Sequence, residues 1–243
     1  MRIIKLDAID STNSYLKKLQ NEEPLEDYTV VVARHQTHGR GQLGGVWESE
    51  MDKNLMFTVF KDIANLNLSH PFFISIATSL AMVKSLQRFS ILKLNVKWPN
   101  DILSDDKKIC GILIENIFKQ GQINSSIIGV GLNVNQADFN DLPKASSLKL
   151  ITGRIFDLDE LLQEILKNLK AYFDILERKH FDLLISQYEE LLFRKDKPST
   201  FRDNKGVLFS GIIKGVSLSG SLNVLLEDNV IKAFDLKEIT LLY

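Results

Sequence analysis

Apolar and polar positions along the chain follow two periods, which predict strands in the first half and long helices in the middle. A strand-like apolar run fills 28–33, and a second run, rich in aromatic residues, fills 54–60. Apolar residues recur at helical spacing over 69–89, 158–176 and 181–193. This order predicts a mixed α/β fold in which a β-sheet is flanked by helices.

The pattern changes at about residue 195, where the long helical periods end. Short apolar stretches then alternate with polar turns at 203–206, 217–220 and 227–229. Such spacing predicts a small β-barrel. We therefore expect a large domain over 1–194 and a small barrel domain over 195–243.

The charge of the chain is nearly balanced, with 30 Lys and Arg residues against 31 Asp and Glu residues and a net charge of −1. No overall field favours nucleic acid or an anionic membrane, so any anion site must be local. The single cysteine, Cys110, excludes an internal disulfide and is expected to be a small core residue. The charged N-terminal segment does not fit a secretory signal, and we expect a cytoplasmic protein.

A glycine-rich stretch, 34–47, directly follows the first strand-like run. Closely spaced glycines let backbone N–H groups approach an anion, and Arg40 between two of them adds a forked positive charge. This pattern predicts a cradle for a phosphate or a carboxylate; the alternative is a mobile surface loop with a solvated arginine. The glycines are Gly39, Gly41, Gly44 and Gly45.

Asp10, Ser11, Thr12 and Asn13 form a cluster of N-cap residues before a helix predicted to begin at about Ser11. Two interpretations are open. The cluster only caps the helix, or its hydroxyl and amide groups bind a polar ligand at the helix N-terminus.

A rigid turn follows the strand that ends at Trp98, because Pro99 stops it and Asn100 and Asp101 turn the chain. Such a turn aims Asp101 reproducibly, although an ordinary turn with a stacking Trp is the alternative. The next hairpin places Lys108 where the chain re-enters the sheet. One sheet is thus expected to collect Arg40, Asp101, Lys108 and Asn133 near the ends of its strands.

Five motifs occur in an order and at intervals that resemble biotin protein ligases, over nearly the whole chain. Each motif alone is modestly specific, and five in register are strongly specific. The resemblance implies a mixed β-sheet flanked by helices, with a small SH3-like barrel at the C-terminus. The motifs are Asp10 to Asn13, Gly39-Arg40-Gly41 with Trp47 downstream, Lys97 to Asp101, Lys108 to Glu115, and Gly129 to Asn135.

The resemblance implies a reaction in two steps. Biotin and Mg-ATP would give biotinyl-5′-AMP and pyrophosphate, and biotin would then pass to one lysine of a biotin carboxyl carrier domain. ATP, Mg²⁺ and biotin are the expected small molecules. The carrier domain is the expected protein partner, and dimers are frequent in the family.

The resemblance also implies roles for particular residues. The biotin site would comprise Ser11, Thr12, Asn13, Gln36, Gly39, Arg40, Gly41, Lys108 and Gly111. The ATP and adenylate site would comprise Arg40, Gln42, Trp47, Gly131 and Asn133, with Trp47 beside the adenine. Arg40 and Lys108 would neutralise the repulsion between the carboxylate and the α-phosphate. Asp101 would stand near the incoming lysine, either as a general base or to orient the amine.

The sequence departs from the family at two places. Many bacterial members continue the loop with arginines where this chain has Gln42 and Leu43, which predicts a less positive cradle and weaker retention of the adenylate. Larger members carry an N-terminal helix-turn-helix domain, whereas this chain starts directly at the first catalytic strand. We therefore expect a ligase without repressor function and without a nucleic-acid or membrane partner.

Three other functions fit the sequence less well. A lipoate or octanoate protein ligase shares the general fold, but the Arg-Arg-x-Gly-Gly-Gly-type loop of that family is absent from the sequence. A non-enzymatic biotin-binding regulator would not explain Lys108 together with the Gly-Arg-Gly loop. A nucleic-acid-binding module built on the terminal barrel would need a basic, aromatic-lined surface, which the balanced charge does not favour.

Overall fold

A computed structural model describes residues 1–139 and 142–243, and its larger sheet has seven strands in the order β1-β2-β3-β7-β6-β5-β4. β1 and β2 are parallel and the other pairs are antiparallel, which makes the sheet mixed. The strands are β1 Ile3–Ile9, β2 Val30–Gln36, β3 Leu55–Asp62, β4 Leu94–Lys97, β5 Asp101–Ser104, β6 Lys107–Lys119 and β7 Gln122–Leu132.

Helices cover both faces of this sheet. On one face Leu16 of α1 packs in a small core with Val31 and Phe60. On the other face α2 and α4 pack against each other and join Phe57 in the main core. The helices are α1 Thr12–Glu22, α2 Phe72–Arg88, α3 Leu148–Thr152, α4 Leu158–Glu177 and α5 Phe181–Glu190. Because β3 is covered on both faces, its residues from Leu55 to Lys61 are all buried.

The structure corrects the start of one predicted helix. The apolar period suggested a helix from residue 69, but α2 begins at Phe72 and Pro71 occupies its N-cap position. The Pro71 carbonyl accepts the backbone N–H of Ile74 at 3.0 Å, so the proline is compatible with the first turn without lying inside the helix. Asp157 caps α4 by accepting the Glu160 N–H at 2.8 Å.

The C-terminal strands form a second, five-stranded antiparallel sheet in the order β11-β10-β9-β8-β12. They are β8 Pro198–Asp203, β9 Leu208–Val216, β10 Leu222–Leu226, β11 Ile231–Phe234 and β12 Ile239–Leu242. The outer strands β11 and β12 do not pair, so backbone hydrogen bonds do not close the expected barrel. The predicted fold class is confirmed, and the division between 1–194 and 195–243 stays a prediction.

Hydrogen bonds connect the C-terminal segment to the large domain. The indole N–H of Trp98 donates to the Gly220 carbonyl at 2.8 Å, which holds the turn that precedes Asp101. The Glu189 carboxylate accepts the Val216 N–H at 2.9 Å and pairs with Lys195 at 3.2 Å. The second sheet therefore supports the turn that carries Asp101. Along residues 1–139 and 142–243, none of the helices has the length and apolar character needed to span a bilayer.

Candidate active site

A cavity lies where the N-terminus of α1, strands β6 and β7, and the loop from Gly39 to Trp47, here called the glycine loop, meet. Eleven residues expected from the sequence line it: Ser11, Thr12, Asn13, Gln36, Arg40, Gly41, Gln42, Trp47, Lys108, Gly111 and Gly131. Larger open grooves occur elsewhere. This cavity alone among them gathers the predicted residues, so it is the candidate active site.

One end of the cavity is polar, neutral and buried. Thr12 donates both its backbone N–H, at 2.8 Å, and its hydroxyl, at 3.0 Å, to Oε1 of Gln36. The hydroxyl of Thr58 donates to Oδ1 of Asn13 at 2.7 Å. Ser11 is the N-cap residue of α1, but its hydroxyl does not cap the helix. The Ser11 hydroxyl therefore does not serve as a helix cap, and Ser11, Thr12 and Asn13 line the cavity instead.

Asn13 has almost no freedom to move at this end. Its Nδ2 donates to the Leu113 carbonyl at 3.2 Å and to Oε2 of Glu115 at 3.1 Å. A Cβ added at Gly129 would lie 2.1 Å from Oδ1 of Asn13, a contact no side chain could make. Gly129 is therefore glycine because Asn13 lies directly against its backbone.

The glycine loop is ordered by its own backbone. The N–H of Gly41 donates to the Gly45 carbonyl at 2.7 Å, and the N–H of Trp47 donates to the Gly39 carbonyl at 3.0 Å. Leu43 adopts φ +54°, a left-handed conformation that costs a non-glycine residue about 1–2 kcal/mol. Leu43 and Val46 expose their side chains by 65% and 72%, so little of the loop is held by the core.

Trp47 fills the cavity. A Cβ at Gly131 would lie 2.3 Å from the indole ring, and one at Gly111 would lie 3.0 Å from it, so both glycines act as the floor for the ring. The indole N–H is buried without a hydrogen-bond partner among the described residues. Leaving such a donor unpaired costs about 1–3 kcal/mol. The remaining volume is about 60 Å³, so a ligand lying along these glycines must displace the ring.

The other end of the cavity is positively charged. Nζ of Lys108 lies 2.7 Å from Oδ1 of Asp101, and Nζ of Lys97 lies 3.9 Å from Oδ2 of the same carboxylate. Two ammonium groups thus share one carboxylate, which leaves a net positive charge. Burial, and then the charge of Lys108, lower the pKa of Lys97 against the opposing effect of Asp101. An anion at this end would relieve the excess charge.

Arg40, on the glycine loop, adds another positive charge to the cavity lining. It donates from NH2 to Oε1 of Glu115 at 3.2 Å and from NH1 to Oε2 at 3.4 Å. Lys17 places a second cation 3.5 Å from the same carboxylate. Burial alone would raise the pKa of Glu115, but the hydrogen bond from Asn13 and the charge of Arg40 hold it below its ordinary value.

Three predicted site residues do not line the cavity. Asp101 lies behind Lys108 in the ion pair described above. The side chain of Asn133 is buried and donates to the Ser146 carbonyl at 3.0 Å. Gly39 lies where the loop begins, and a Cβ there would meet the Trp47 carbonyl at 2.2 Å. Asp101 contacts the lining residue Lys108 directly, Asn133 is linked to Lys108 through Ser146, and Gly39 belongs to the glycine loop.

Several residues in or beside the cavity were not predicted as site residues from the sequence. Asn100, Ile112, Leu113, Gly129 and Val130 also line the cavity. All five lie inside three of the five motifs, within two positions of a predicted site residue, which was the available signal. Thr58 had no such signal, since it reads only as one residue of an apolar strand. Cys110 is buried, as expected, and burial raises the pKa of its thiol.

Comparison with known proteins places the chain in a family. Residues 6–133 match the model of the biotin/lipoate A/B protein ligase family. The chain is 34% identical over 168 residues to the bifunctional ligase/repressor BirA of Bacillus spizizenii, covering 68% of this chain and 51% of that protein. It is 30% identical over 148 residues to the biotin–[acetyl-CoA-carboxylase] ligase of Mycobacterium tuberculosis, covering 60% of this chain and 54% of that protein.

Solved structures agree with this assignment. Biotin protein ligase from Aquifex aeolicus in complex with biotin and ATP superposes with a TM-score of 0.83 at 26% identity, over 99% of this chain and 98% of that chain. The chain nevertheless spans about half the length of the Bacillus relative.

Proposed function

Because the chain belongs to the biotin/lipoate A/B protein ligase family, we propose that it is a biotin protein ligase, which activates biotin with ATP and transfers it to a carrier lysine. The observation that carries the proposal is one cavity with a neutral polar end and a cationic end. Biotin has the matching form, since a neutral cyclic urea stands at one end and a carboxylate at the other. A purely apolar acyl chain would leave the polar end unpaired.

In the first step a carboxylate oxygen of biotin attacks the α-phosphorus of ATP, forming biotinyl-5′-AMP and releasing pyrophosphate. Both reactants are anions, and fixed positive charges are needed to bring them together. Arg40 and Lys108 line the cavity and would supply these charges. We propose that Mg²⁺ enters with the phosphates of ATP, whose oxygens are the ligands it prefers.

Trp47 would leave Gly111 and Gly131 when the ligand binds and then lie beside the adenine. The ring can move because Leu43 and Val46 of the same loop are exposed and the indole N–H has no hydrogen bond to lose among the described residues. Gln42 lines the same side of the cavity. Asn133 would act indirectly, by holding Ser146, whose N–H donates to the Lys108 carbonyl at 2.9 Å.

In the second step the neutral amine of the acceptor lysine attacks the acyl carbon, a C–N bond forms, and AMP leaves with the electrons of the broken acyl–oxygen bond, while the proton lost by the amine passes to solvent. We propose that Asp101 orients this amine and does not accept its proton. Oδ1 of Asp101 already lies 2.7 Å from Nζ of Lys108 and Oδ2 lies 3.9 Å from Nζ of Lys97, so this carboxylate is placed to hold and direct amine groups. The name of the Mycobacterium relative supports the carrier domain of acetyl-CoA carboxylase as the acceptor class.

One experiment tests the proposal against its nearest alternative. The protein is mixed with ATP, Mg²⁺ and either biotin or lipoate, together with a biotin carboxyl carrier domain and a lipoyl domain. Intact mass identifies which acid is attached to which acceptor. Biotin on the carrier domain is expected, and a carrier with its target lysine changed to arginine is the matched control. Labelling by lipoate alone would show that the chain is a lipoate ligase.

A further inference from the structure

We propose that Glu115 is a positioning residue, which occupies Arg40 while the cavity is empty and releases it to the anionic group of the ligand. We further propose that Lys17 neutralises Glu115 once Arg40 has left. The inference rests on the proposed function, because it concerns how the same site receives its anionic ligand.

Arg40 binds Glu115 through two nitrogens, which is also the geometry by which a guanidinium binds a phosphate. Two nitrogens of Arg40 face the two oxygens of Glu115, at 3.2 and 3.4 Å. Arg40 lines the cavity, whereas Glu115 lies beside it on β6. Glu115 therefore takes the position of an anionic partner for a side chain that the ligand also needs.

Glu115 and Arg40 differ in the number of other charged partners that each has. Glu115 has a second cation, Lys17, at 3.5 Å, and a neutral donor, Asn13, at 3.1 Å. Among the ion pairs of residues 1–139 and 142–243, Arg40 pairs with Glu115 alone, and its NH1 also donates to the Ser14 hydroxyl at 3.4 Å. Removal of Arg40 would thus leave Glu115 partly compensated, so the exchange of Arg40 from Glu115 to a ligand is not prohibitive.

Burial strengthens this argument. The Glu115 side chain is 19% exposed, while Arg40 is 47% exposed and Lys17 is 53% exposed. The carboxylate is therefore the fixed member, held by Asn13, and both cations are mobile enough to change position around it. If Lys17 were absent and an anionic ligand bound Arg40, the largely buried Glu115 carboxylate would keep only the neutral donor Asn13.

The two neighbours of Arg40 should then affect ligand affinity in opposite directions. Glu115→Gln removes the competing charge but keeps an acceptor for Asn13, so an anionic ligand should bind about two- to fivefold more tightly. Lys17→Ala removes the replacement cation, so the same ligand should bind about two- to fivefold more weakly. Lys18→Ala is the matched control, because Lys18 pairs with Glu22 on the same helix and not with Glu115.

The probe is biotinol-5′-AMP, a phosphodiester that keeps the anion and cannot transfer an acyl group, and its Kd is measured by calorimetry at low salt. The double variant Glu115→Gln with Lys17→Ala completes the cycle. Lys17 should have no effect once the carboxylate is gone, so the double variant should match Glu115→Gln. Thermal unfolding of each variant checks that the fold is intact.

Three results would overturn the inference. Weaker binding by Glu115→Gln would mean that Glu115 holds Arg40 for the ligand and does not compete with it. An equal loss from Lys17→Ala in both backgrounds would mean that Lys17 does not act through Glu115. Unchanged affinity in both single variants would likewise overturn this inference while leaving the proposed function intact. If the unaltered protein binds no biotinol-5′-AMP at all, the proposed function itself fails.

Discussion

The two ends of the cavity are built in different ways. At the polar end, Thr12, Asn13 and Thr58 are buried and joined by hydrogen bonds of 2.7–3.2 Å before any ligand arrives. At the charged end, the glycine loop is held mainly by its own backbone, and Trp47 occupies the cavity. Under the proposed function, the first end is therefore already shaped for its ligand, whereas the second would rearrange.

The difference follows from what each end would bind. A neutral group is recognised through hydrogen-bond direction, so its partners must be fixed in advance, or the ordering of side chains weakens binding. An anion attracts positive charge over several ångströms, so its partners can move and still find it. A mobile charged end also allows two substrates to enter and pyrophosphate to leave.

The largest expected effect is at the charged end. Charge-assisted hydrogen bonds contribute about 1.5–3 kcal/mol, so Lys108→Ala or Arg40→Ala should slow adenylate formation by about ten- to a hundredfold or more. Pyrophosphate release without an acceptor measures this step. Lys107→Ala is the control, because Lys107 binds the Pro143 carbonyl outside the cavity. Unchanged release in both variants would place these charges on an ordinary surface.

The next largest effect is on the free energy of unfolding, and it concerns the polar end. In Gly129→Ala the new methyl group would meet Oδ1 of Asn13. The Asn13 side chain is buried and makes three hydrogen bonds, two from Nδ2 and one to Oδ1. Overpacking there should lower the free energy of unfolding by about 1–3 kcal/mol. Urea unfolding measures the change, and a loss no larger than that of a surface substitution would show that the polar end is not rigid.

A matched substitution at the charged end should be tolerated. In Gly131→Ala the methyl group would meet the Trp47 ring, but the exposed loop allows the ring to move, so unfolding should change by less than about 1 kcal/mol. Trp47 should become more exposed, with a red-shifted fluorescence. Trp98→Phe in the background removes the other indole signal. A buried Trp47 in this variant would mean that the loop is as fixed as the polar end.

The smallest effect concerns Gln42, which lines the cavity without a charge. Gln42→Arg should slow the dissociation of biotinyl-AMP a few-fold, since an added cation near the phosphate lengthens its residence. The rate of its formation should change little. Trapping the adenylate and following its loss after dilution gives both off-rates, and Gln42→Glu should change the rate in the opposite direction. Equal off-rates in all three proteins would indicate that backbone groups hold the adenylate.

The sequence alone determined the elements of the fold and the chemistry of the loops. The helical period over 158–176 gave α4 almost to the residue, and the aromatic run over 54–60 became β3. The glycine spacing around Arg40 and the N-cap cluster at Ser11 both mark segments that line the cavity. These signals are local, because periodicity and turn chemistry depend on neighbours a few residues apart.

Only the tertiary structure decided which side chains meet. Thr58 pairs with Gly129 across β3 and β7, and Gly129 pairs with Leu113 across β7 and β6, which brings Asn13 against all three. A register shift between Ile102 and Leu103 sets where Lys108 lies relative to Asp101. A slip of one residue would turn each side chain to the opposite face of the sheet. Strand register depends on the packing of the whole sheet, so neither the polar network nor the pairing of Arg40 with Glu115 could be obtained from local pattern.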